Sequence, residues 1–152
     1  MNGDDKKPRQ RRTAKAAVPS KTKIGINSNT SLDISSFVDS SPLAITLLDG
    51  DGRVLVWSKK AEELFGWKAE EVLGKHPPFV SNEKKDEFTC IHSKAMKGRT
   101  QTGRRVTRQK KDGSSVDLSM STSPVRDFSG AIIGVLGVMT DITEHLQQKR
   151  QF

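Results

Sequence analysis

The chain has 152 residues, of which 33% are hydrophobic and 29% charged, with one cysteine and a formal net charge of +8. So low an apolar fraction supports one modest core of roughly 110 residues beside a segment that cannot pack. A single cysteine excludes an internal disulfide, and no run approaches the roughly 20 apolar residues of a membrane span, so a cytoplasmic location is expected.

Charge marks off the unpacked segment. Residues 1–30 hold eight basic and two acidic side chains, net +6, which leaves +2 for residues 31–152. They include no aromatic residue, so a disordered basic tail is expected, because too little surface can be buried to offset the entropy of ordering it. Such a tail can hold nucleic acid or an anionic surface by charge alone, with strong salt dependence. A solubilising leader or linker accounts for the same composition more simply.

After the tail, Thr30-Ser31-Leu32-Asp33 has the form of a helix cap, and Ile34, Phe37 and Val38 follow at spacings of three and four. A short flanking helix is expected there, its apolar stripe offering a dimer contact, before Ser41-Pro42 stops it. Leu43 to Leu48 reads as a strand, Asp49-Gly50-Asp51-Gly52 as a turn and Arg53 to Trp57 as the returning strand of a hairpin. Ser58 is placed to cap a helix that buries Ala61, Leu64 and Phe65 and ends at Gly66. Lys68 to Leu73 suggests another helical turn or two, Pro77-Pro78 forbids regular structure, and Glu83 to Lys97 predicts a longer helix with Phe88, Ile91 and Ala95 inward.

The remainder predicts strands. Thr102 to Lys111 alternates loosely and turns at Asp112-Gly113. In Ser114 to Ser123, Val116, Leu118 and Met120 alternate with serines and Asp117, the period of a strand with one wet face. Ala131 to Met139, nearly all apolar, has the character of a central strand. Two strands, a helical block and three strands imply an α+β domain built on one antiparallel sheet.

Six short signatures occur in order: Asp49-Gly50-Asp51-Gly52, Ala61-Glu62-Glu63-Leu64-Phe65-Gly66-Trp67, Glu70-Glu71-Val72-Leu73-Gly74-Lys75, Lys110-Lys111-Asp112-Gly113-Ser114, Ser123-Pro124-Val125-Arg126-Asp127 and Asp141-Ile142-Thr143-Glu144. Together, from about Ser36 to Glu144, they resemble the PAS superfamily of sensory modules. The resemblance implies a five-stranded antiparallel sheet in the order 2-1-5-4-3 cupping a helical layer. It divides the chain into a tail (1–30), a PAS domain with its flanking helix (31–143) and the start of a signalling helix (144–152). One departure is Ser58, where the family has an asparagine.

The resemblance also implies function. Such domains feed histidine kinases, diguanylate cyclases or transcription regulators, and they bind a small molecule between sheet and helices or act as ligand-free dimerisation modules. Ile45, Leu47, Leu64, Phe65, Phe79, Phe88, Ile91, Val116, Leu118 and Met120 are the candidate cavity lining, each equally explicable as core. Asp141, Thr143 and Glu144 are the candidate relay to an effector, with Asp141 and Glu144 disposed as a capping box. Ile34, Phe37 and Val38 are the candidate homodimer contacts.

Cofactor chemistry finds less support. Family members that form a flavin photoadduct carry a cysteine where this chain has Pro77, and Cys90, on another helix, reads as a buried small hydrophobe. Haem-binding members use a histidine on the long helix, where His92 stands, but a lone histidine at the border of an apolar face is more simply an edge or core residue. No metal set, phosphate loop or nucleophile–base pair is apparent, so no enzyme is expected. The basic run Arg99, Arg104, Arg105, Arg108, Lys110 and Lys111 could present an anion or nucleic-acid surface, but with no interleaved aromatics it reads more simply as the wet side of a hairpin.

Overall fold

The computed structural model describes residues 23–27 and 30–143. Its centre is a five-stranded antiparallel sheet formed by β3 (Ala44–Asp49), β4 (Val54–Trp57), β5 (Gln101–Gln109), β6 (Ser115–Arg126) and β7 (Ile132–Asp141), ordered β4-β3-β7-β6-β5. Counted within the sheet this is 2-1-5-4-3, the order expected. Before it, β1 (Lys23–Asn27) pairs with β2 (Thr30–Asp33), and α1 spans Ile34–Asp39. Between β4 and β5 lie α2 (Lys59–Phe65), α3 (Ala69–Val72), a 3-10 turn at Asn82–Lys84 and α4 (Lys85–Met96).

The flanking helix starts later than the capping pattern suggests. Thr30 belongs to β2, and Asp33 is the cap, its Oδ1 accepting from Ser35 N at 3.1 Å. Lys23–Asn27, read above as part of the basic tail, forms the partner strand of this ribbon.

Local chemistry fixes the helical layer on one face of the sheet. Ser58 Oγ accepts from Ala61 N at 3.2 Å and from Ile45 N at 3.0 Å, so one hydroxyl caps α2 and ties it to β3. Gly66 ends α2 at φ +90°, where any side chain would be strained. Phe65, wholly buried, packs between Trp57 and Phe79 with ring centroids 5.5 and 4.7 Å away. The connecting segments then cover the edges of the sheet. Val54 N donates to Lys75 O and Gly74 N to Val54 O along β4, while Gln109 N at the end of β5 donates to Phe79 O and Lys111 N, just beyond it, to Phe65 O.

β6 runs through Pro124 to Arg126, past the point where a proline would be expected to stop it. β5 pairs only as far as Thr122, so at Pro124 one side of β6 is an edge and the missing N–H leaves no ladder bond unmade there.

Candidate functional site

Between the sheet and α4 lies a cavity of about 30 Å³ lined by Thr46, Leu48, Phe79, Phe88, Ile91, His92, Arg108, Met120, Thr122, Val135, Gly137 and Met139. Strand parity sets its walls. On β3 the buried positions are Ala44, Thr46 and Leu48. On β6 they are Val116, Leu118, Met120 and Thr122, and on β7 Val135 and Met139. Gly137 lets β7 pass close to β3, since a Cβ there would stand 2.8 Å from Thr46 Oγ1.

Of the ten cavity candidates, Phe79, Phe88, Ile91 and Met120 line this space. Phe65, Val116 and Leu118 are buried in the common core, and Leu64 is half-buried against it. Ile45 and Leu47 must be corrected. They alternate with the buried residues of β3 and pair with Val138 and Leu136, so they occupy the opposite face of the sheet. Leu43 to Leu48 is apolar at nearly every position, so hydropathy could not choose between its faces.

Sequence reading missed the polar part of the lining. Arg108 lies 2% exposed in the cavity wall and not on a wet hairpin face. Its Nη1 donates to Glu87 Oε1 at 2.9 Å and to Thr107 O at 3.0 Å. The available signal was its position two residues from Val106, which is also buried. Thr46 and Thr122 were missed because apolar alternation does not flag a buried hydroxyl. Cys90, expected to be buried, is exposed.

His92 is half-buried and stacks beside Phe88, and its Nε2 lies 2.8 Å from Asp49 O. A carbonyl oxygen only accepts, so this nitrogen carries the proton and is committed to the backbone of β3. A cavity of about 30 Å³ also has no room for a porphyrin ring. The residues present do not fit a haem ligated by His92. A separate surface groove of about 480 Å³ lies beyond Phe88 and His92, which line both spaces, and includes Gly52, His76, Pro77, Lys85 and Thr89.

The exit of the sheet is also hydrogen-bonded to its neighbours. Asp141 Oδ1 accepts from Thr143 N at 2.9 Å. Ile142 N donates to Asp117 O at 2.9 Å, and Asp117 N donates to Thr143 Oγ1 at 3.3 Å. Asp117 Oδ1 in turn accepts from Thr107 Oγ1 at 2.9 Å, so β5, β6 and the exit segment are joined in one row. Asp141 and Thr143 of the proposed relay are thus brought together, while Glu144 lies outside the described residues. On α1, which leads into β3 beside the end of β7, Phe37 is 61% exposed, with Ile34 and Val38 half-buried. Among the described residues no helix is long and apolar enough to cross a membrane.

A family model for the PAS fold matches residues 32–142. The sensor protein FixL of Bradyrhizobium diazoefficiens is 29% identical over 119 residues, covering 74% of this chain and 23% of FixL. Two-component system protein A of Emericella nidulans is 28% identical over 114 residues, covering 66% of this chain and 15% of that protein. The chain thus spans less than a quarter of these relatives. Among solved structures, an RNA-binding light-oxygen-voltage receptor superposes with a TM-score of 0.67 at 25% identity, covering 78% of this chain and 35% of that one. The PAS domain of a Colwellia psychrerythraea protein superposes at 0.66 with 23% identity, covering 73% of this chain and 95% of that one.

Proposed function

We propose, from the premise that this chain belongs to the PAS family, that it is a sensory input module which binds a small molecule between its sheet and α4 and passes its state to an effector. The observation that carries this reading is an almost wholly apolar cavity whose lining residues include the buried Thr46, Arg108 and Thr122. A few fixed polar groups in an apolar recess are what orient a ligand. Relatedness to FixL and to a two-component system protein favours a histidine kinase as the effector.

The route outward is the hydrogen-bonded row from Thr107 through Asp117 to Thr143. Arg108 is the residue next to Thr107 and bonds its carbonyl, so a change at the guanidinium reaches the row through one peptide unit. A ligand would shift this arrangement only by binding one of its states more tightly than the other. Dimerisation through α1 belongs to the same reading, since Phe37 presents a large apolar side chain to solvent.

A second reading, a ligand-free interaction domain, draws on the small size of the cavity. Native mass spectrometry of gently purified full chain separates the two. The sensory reading expects a retained molecule, or one captured from a metabolite mixture, whose binding is weakened by changing Arg108. A bare chain that captures nothing supports the second.

A further inference from the structure

Arg108 carries the charge most deeply buried among the described residues, at 2% exposure. Burial of a guanidinium is costly unless its donors are satisfied. Only Nη1 is paired. Nε and Nη2 make no hydrogen bond within the described residues, and neither does Thr122 Oγ1, on a side chain 6% exposed. Arg108 and Thr122 line the same cavity.

Nε and Nη2 form the side edge of the guanidinium, two parallel donors spaced to meet both oxygens of one carboxylate. We propose that the cavity takes a short-chain monocarboxylate, seated bidentately on Arg108 with Thr122 as a third contact and its alkyl end against Phe79, Phe88, Ile91 and Met120. The assignment rests on the sensory reading and deepens it by naming the class of ligand.

Lining and charge favour that class, and size limits it to the shortest chains. A cavity of about 30 Å³ holds roughly two waters, so it seats the carboxylate's oxygens and the alkyl end enters only as the apolar lining residues move apart. Beyond Arg108, His92 and two threonines the wall is apolar, which suits a methyl or ethyl group and offers a phosphate too few donors. Arg108 lies 2.9 Å and Lys84 3.9 Å from Glu87, two cations to one anion, so one further carboxylate neutralises the cluster. A longer chain must extend past Phe88 and His92, which line both the cavity and the surface groove.

Sodium propionate is the probe, titrated into the full chain by calorimetry and thermal melting at constant ionic strength, with sodium chloride and propionamide as controls. Saturable binding and a raised melting temperature are expected with propionate, at least about tenfold weaker binding with propionamide, and no response to chloride. Arg108→Met should abolish the propionate response, and because Glu87 keeps 26% of its side chain exposed it can be hydrated in that variant. Thr122→Val preserves shape and should weaken propionate several-fold; it decides the matter if Arg108→Met proves unfolded by circular dichroism.

Equal binding by wild type and variants, or equal binding of propionate and propionamide, overturns the assignment. So does a wild type that ignores propionate while its Arg108 side-chain N–H protons exchange with water alone. A retained molecule lacking a carboxylate would overturn this assignment and leave the sensory reading standing. No retained molecule and no propionate response would defeat both.

Discussion

Single side chains divide here into those that hold the fold and those that face the cavity, and their substitutions should separate cleanly. Phe65→Ala removes a wholly buried ring from between Trp57 and Phe79 and should cost about 3–5 kcal/mol in denaturant melts. Ser58→Ala removes an acceptor shared by Ala61 N and Ile45 N and should cost about 1–2 kcal/mol.

Titration gives a further expectation at this scale. The Lys111 ammonium, bonded to the Glu71 carboxylate at 2.7 Å, holds that carboxyl below its usual range, with Lys68 N–H assisting. Hydrogen bonds from Ser114 and Ser129 do the same for Asp112 and Asp127. Depressed folded values mean stabilisation that is present above the unfolded carboxylate range, near pH about 4, and lost as pH falls through the lower folded values. The melting temperature should therefore be flat in mildly acidic buffer and fall below that range. Glu71→Gln should make the fall shallower, modestly and less so in high salt, because the pair is exposed.

Elements show how far periodicity carries. β6 was legible because Val116, Leu118 and Met120 alternate with polar residues, and its burial follows that alternation. β3 was legible as a strand but not as to its face, since Ile45 and Leu47 are as apolar as Ala44 and Leu48. Only pairing with β7 decides which set faces α4. Arg108 was hidden by its own charge. A guanidinium in a basic run reads as solvent-facing, and what buries it is tertiary, namely Glu87 on α4 reaching across to Nη1. At the exit, Thr143→Val deletes the acceptor for Asp117 N and should cost about 1 kcal/mol. Hydrogen exchange at the Asp117 and Ile142 amides should quicken, with the Phe65 region unchanged. Uniform quickening would mean global destabilisation instead.

Across the whole molecule, the core lies between sheet and helices, while the exposed aromatic on α1 and the tethered exit of β7 lie toward the end of the sheet where Ala44 pairs with Met139. If α1 mediates dimerisation, replacing Phe37 and Val38 with Asp should halve the mass found by sedimentation equilibrium, and an unchanged mass would remove α1 from the interface. The central claim is that occupancy of the cavity is felt at the end of the sheet. Its most direct test is the ¹H–¹⁵N spectrum of the full chain across a propionate titration. The account predicts saturable shifts that run from Arg108 and Thr107 through Asp117 to Ile142 and Thr143 and vanish in Arg108→Met. Shifts that saturate at Arg108 yet leave Asp117, Ile142 and Thr143 unmoved would contradict it.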